Sequence, residues 1–96
     1  MTEIDETIKR IQTHKGVVGV VIFDKEGRSI RSTLNQESTS KYATQMQQLA
    51  EKARVVVQEL DPSNDLTFIR IRSKKHEIMI APDKSYFLCV IQTPQD

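Results

Sequence analysis

The sequence predicts an α+β fold of order α-β-β-α-β-β-β around a mostly antiparallel sheet. Three observations predict it. A long stretch between Ser38 and Leu60 lacks Gly and Pro and repeats apolar residues at helical spacing. Val17–Phe23 is a short, unbroken apolar run rich in β-branched residues. The last third alternates apolar runs with tight turns, and only one crossover interrupts the strand order, so most neighbours run antiparallel.

The first element is a helix. Thr2 is its cap, and Glu3, Asp5 and Glu6 place negative charge in the first turn, where the helix dipole favours it. Lys9, Arg10, His14 and Lys15 occupy the other end, and Gly16 is the expected C′ residue. Ile4, Ile8 and Ile11 form one narrow apolar stripe. Val17–Phe23 follows as a strand buried on both faces. Asp24-Lys25-Glu26-Gly27 is a turn, and Arg28–Leu34 is the return strand of a hairpin.

The polar stretch 35–40 offers Ser38 as the cap of the long helix, which Asp61-Pro62 stops. Tyr42, Met46, Leu49, Ala53, Val56 and Leu60 are spaced as a heptad-type seam. Ala43, Ala50 and Val57 make a second, smaller line beside it. Three strands complete the chain: Leu66–Arg72, His76–Ala81 and Tyr86–Gln92, with Thr93-Pro94 ending the last.

A helix from Ser38 to Leu60 is about 34 Å long. Strands of about seven residues span only about 23 Å. The helix therefore overhangs its sheet, and its second stripe needs cover. A second copy of the same helix is the simplest source.

Composition bounds the function. The 96 residues make one domain by length, residues 1–96. With 14 Lys+Arg against 13 Asp+Glu, the net charge of +1 argues against nucleic acid or a membrane surface as the partner. Aromatics at 5% without Trp leave no stacking platform for bases or sugars. The 38% hydrophobic content is lean for a small domain that stands alone. One cysteine, Cys89, forms no internal disulfide, and the acidic N-terminus is not a signal peptide. No apolar run reaches the ~20 residues of a membrane span. Thr2 excludes N-myristoylation, and the C-terminus is no prenylation box. A soluble intracellular protein is expected.

No residue set assembles a catalytic, metal or cofactor site. His14 and His76 lack ligand partners at zinc-site spacing. Cys89, between Leu88 and Val90, reads as a small buried hydrophobe. Gly16 and Gly19 flank a strand start, not a helix start, so a phosphate cradle is unsupported. Asp61, Asp65 and Asp83 read as turn chemistry. Arg70, Arg72, Lys74 and Lys75 form the one charge cluster. A solvated hairpin end or protected edge strand explains it, and contact with an acidic partner or a phosphate is the alternative.

The chain resembles the roadblock-type light chains of cytoplasmic dynein, in the roadblock/longin superfamily. The residues that carry the resemblance run from Asp61 through Pro62-Ser63-Asn64-Asp65-Leu66-Thr67-Phe68-Ile69-Arg70-Ile71-Arg72-Ser73-Lys74-Lys75. They continue over Glu77–Lys84 and Tyr86-Phe87-Leu88. Lys15-Gly16-Val17, Glu26-Gly27 and Tyr42-Ala43 agree with it.

The resemblance implies a five-stranded antiparallel sheet with the long helix on one face and the N-terminal helix on the other. It also implies a non-catalytic homodimer without cofactor or metal, its sheets joined edge to edge and its long helices side by side. The edge would be Leu66–Arg72, with Leu66, Phe68, Arg70 and Arg72 along it. The helix surface would draw on Tyr42, Ala43, Met46, Leu49, Ala50, Ala53, Val56, Val57 and Leu60. The implied partner is a helical segment of the dynein intermediate chain, in the cargo-binding tail of a motor on cytoplasmic microtubules. Relatives in the wider superfamily bind small GTPases or belong to lysosomal signalling scaffolds, which makes a GTPase-binding scaffold or regulator the alternative.

Overall fold

The computed structural model describes residues 3–94. The expected cap Thr2 lies outside them. Helix α1 is Glu3–Gln12, strand β1 Val17–Asp24, β2 Ser29–Ser32, helix α2 Gln36–Leu60, β3 Ile69–Arg72, β4 Glu77–Pro82 and β5 Tyr86–Gln92. The strands form one sheet in the order β2-β1-β5-β4-β3, and every pairing is antiparallel.

β1 sits inside the sheet and is buried from Gly19 to Phe23. Its alternate residues feed two cores. Val20 and Ile22 meet Ile8 of α1, with Ile4 and Ile11 packed beside them. Val21 and Phe23 join Ala43, Ala50, Ile80, Phe87, Cys89 and Ile91 under α2. Phe23 stacks on Phe87 with ring centroids 5.3 Å apart. The two helices thus cover opposite faces, as expected.

Several boundaries differ from expectation, each for a local reason. α1 ends at Gln12, so His14 and Lys15 lie in the turn beyond it. Thr13 and His14 donate to carbonyls three residues back, and Gly16 then takes φ 86°. The cap of α2 is Asn35, not Ser38. Its Oδ1 accepts the Ser38 N–H at 2.8 Å, which starts the helix earlier.

β2 is shorter than Arg28–Leu34. At its end the Thr33 hydroxyl replaces a carbonyl and accepts the Val20 N–H at 2.9 Å, and Leu34 turns in over Gly19. A Cβ at Gly19 would stand 2.5 Å from Leu34 Cδ2, so glycine makes room for that side chain. β3 omits Leu66, Thr67 and Phe68. Its ladder with β4 begins at Ile69 opposite Ile80, and the following β4 residues lead to Pro82, which has no N–H to donate.

Candidate protein-interaction surface

α2 divides its apolar residues between two directions. The small line faces inward: Ala43 and Ala50 are buried against the sheet and Val57 is half-buried. Small side chains let the helix backbone come close to the strands. The heptad line is split along its length. Tyr42 and Met46 are half-buried and pack on the core under α2. Ala53 is half-buried. Leu49, Val56 and Leu60 reach solvent, at 38%, 43% and 83% exposure. The C-terminal half of α2 therefore carries large apolar side chains that its own sheet does not cover.

The sheet edge is also open. β3 is the last strand on one side. Leu66 is half-buried, Phe68 is 50% exposed, and Arg70 and Arg72 are exposed. Leu66 and Phe68 thus precede the edge strand, which departs from the expected span. Arg70 and Arg72 lie on it and share one carboxylate. Glu77 Oε2 is 3.3 Å from Arg72 Nε and 3.9 Å from Arg70 Nε. The Glu77 side chain is only 6% exposed. Residue type and spacing in the sequence do not single out Glu77. The signal that finds it is the hairpin register, which sets Arg72 opposite Glu77.

Elsewhere the charges pair among themselves. A cleft of about 600 Å³ between α2 and the β4–β5 turn is lined by Lys25, Glu51, Arg54, Asp65, Asp83 and Lys84 over Ala50, Leu66 and Phe87. Arg54 bridges Glu51 and holds its carboxyl below the usual range, chiefly through a side-chain hydrogen bond. Lys25 sits 3.9 Å over the Phe87 ring. Asp24 accepts the backbone N–H of Arg28 and of Glu26, which also lowers its carboxyl. Burial pushes the Cys89 thiol up to about 12, so it is no nucleophile in the folded chain. Among the described residues, no group of three or more His, Cys, Asp or Glu is placed to hold a metal ion, and no helix is long and apolar enough to cross a membrane. What the surface offers is apolar burial on α2, an unpaired sheet edge and a local surplus of arginine.

The fold is shared with solved bacterial structures. A Roadblock/LC7 domain from Streptomyces avermitilis superposes with TM-score 0.86 at 13% identity, covering 96% of this chain and 79% of that one. MglB from Myxococcus xanthus gives TM-score 0.79 at 19% identity, over 97% and 77%. The gliding protein MglB from Thermus thermophilus gives 0.79 at 9%, over 93% and 70%. At these identities the likeness is one of fold. The sequence model of the Roadblock/LC7 domain matches residues 3–93, and the chain belongs to that family.

Proposed function

We propose that this chain is a non-catalytic scaffold that works as a homodimer and binds a protein partner. The observation that carries the reading is the division of α2. Ala43 and Ala50 serve the chain's own core, while Leu49, Val56 and Leu60 stand outside it on one line. Large apolar residues in a row on the solvent side of a helix are a binding surface. A two-fold axis brings the same line from a second copy, and the open edge at β3 lies free to pair with its counterpart. Burial of about 1,600 Å² in total would be ordinary for such a contact.

Two partners fit a roadblock-type scaffold. One is a small GTPase, with the chain as its scaffold or regulator. The structural neighbours support this reading at least as well as the other, since those named above are bacterial roadblock and gliding proteins rather than motor light chains. The other is a helical segment of the dynein intermediate chain, which would place the chain in the cytoplasm on microtubules. The dynein-like stretches Asp61–Lys75 and Glu77–Lys84 support that one.

Titration calorimetry separates the two. Binding of a small GTPase that depends on its nucleotide supports the first. Binding of the intermediate-chain segment, indifferent to nucleotide, supports the second. A chain that sediments as a monomer at micromolar concentration overturns the homodimer.

A further inference from the structure

The cleft beside α2 lies where that helix, the loop before β3, the β1–β2 turn and the β4–β5 turn meet. Its volume of about 600 Å³ is that of a small-molecule site. Ala50 and Phe87 are buried at its base, and Leu66 is half-buried in its wall. The backbone around it is held by hydrogen bonds within the fold. The Lys25 carbonyl accepts from Gln47 Nε2 of α2 at 2.9 Å. Asp24 Oδ1 closes the same turn, accepting the N–H of Glu26 and of Arg28 at 2.9 Å each. In the β4–β5 turn, Asp83 Oδ1 accepts the Lys84 N–H at 2.7 Å. Two braced turns thus bring two exposed lysines to one cavity.

The hydrogen-bonding capacity left over in the cleft is donor capacity. Glu51 is bridged by Arg54. Asp65 Oδ1 accepts the Leu66 N–H at 2.8 Å and the Gln58 amide at 3.5 Å. Among the described residues, neither Lys25 nor Lys84 is in an ion pair. The Lys25 ammonium lies 3.9 Å from the centre of the Phe87 ring, and an ammonium has three donors, so the side away from the ring is left for an acceptor.

We propose that this cleft binds a small carboxylate with an apolar body. The carboxylate pairs with the ammonium groups of Lys25 and Lys84, and the body packs on Leu66 and the base of the cleft. The ligand is an acceptor because the carboxylates of the cleft already have donors of their own. It carries one negative charge rather than two, because Asp65 and Asp83 line the same space and repel a second. The body is needed as well as the charge. Ion pairs with exposed lysines contribute little in water, so apolar burial supplies most of the affinity. The inference goes beyond the scaffold reading and does not rest on it, since one copy of the chain supplies every group named.

The test titrates phenylbutyrate into the isotope-labelled full chain and follows it by nuclear magnetic resonance. The amides of Leu66, Thr67 and Lys84 should shift and saturate in the millimolar range or below. Phenylbutyramide, the same body without the charge, should bind about three- to tenfold more weakly. Lys25→Met should weaken the carboxylate by a similar factor and leave the amide unchanged, a split that a merely structural lysine would not produce. Should that variant fail to fold, Lys84→Met in the exposed β4–β5 turn should show the same split. Phenylpropyl phosphate should bind no more tightly than the carboxylate. No saturable shift, equal binding of acid and amide, tighter binding of the phosphate, shifts centred on Leu49 and Val56, or lysine variants that bind as the parent does would each overturn the proposal. A dimer that ignores phenylbutyrate removes this inference alone. A monomer that binds it in the cleft removes the homodimer and leaves the cleft standing.

Discussion

Cys89 stands opposite Val21 of β1 and Ile80 of β4 and has no exposed surface. With its thiol near 12, only about one molecule in ten thousand is thiolate at pH 8. Access and ionisation therefore both oppose reaction. A disulfide reagent at pH 8 should label the native chain only as fast as the core opens. Mild urea below the unfolding midpoint should accelerate labelling in step with the unfolded fraction. Fast labelling in buffer would show that the β1–β5–β4 core opens locally. Glu77 is the contrasting residue. It too is nearly buried, at the start of β4, but Arg70 and Arg72 of the adjacent β3 face its carboxyl group.

Among the elements, the helices were legible because periodicity reports burial directly, and β1 because an unbroken apolar run reports burial on both faces. Ile4, Ile8 and Ile11 do line the α1 core, and Val17–Phe23 does lie within the inner strand. The ends were less legible because side chains finish them. The Thr33 hydroxyl closes β2, and Asn35 rather than Ser38 opens α2. Competing cap residues lie three apart there, and propensity alone does not rank Asn above Ser. The surface was legible in part. Two stripes on α2 were visible, but not which one faced the sheet. The larger residues look like core by hydropathy. Close approach of helix to strand instead selects Ala43 and Ala50, and this turns Leu49, Val56 and Leu60 outward. The cap is testable. Asn35→Ala should cost about 1 kcal/mol by urea unfolding, whereas Asn35→Asp should leave the midpoint nearly unchanged. An unchanged midpoint in Asn35→Ala would mean that contacts within α2, not its first turn, set its start.

At the scale of the whole molecule, two features call for the same completion. α2 has 25 residues, about 38 Å of helix, and the longest extent of the molecule is 37 Å. Its last buried residue is Ala50, so the second half runs beyond the core it serves. The sheet ends at β3, which has no strand on its outer side among the described residues, and Ile69, Ile71 and Ile78 on the α2 side are only half-buried. A lean apolar content is what half of a shared core would show, because part of the burial would then come from a second copy. The seam and the edge make separable predictions. In the proposed homodimer, Val56→Glu sets a carboxylate, and its symmetry mate, in the paired-helix seam. Desolvating an unpaired charge costs several kcal/mol, so the dimer dissociation constant should rise at least about a hundredfold. The variant's far-ultraviolet circular dichroism should stay native, since Val56 is 43% exposed and its own core does not use it. Sedimentation across a concentration series measures the shift. If Val56→Glu and Leu49→Glu both sediment as the parent does, the helices are not the joint. Self-association would then rest on β3 alone, and a proline at Arg70 should abolish it by interrupting the edge strand.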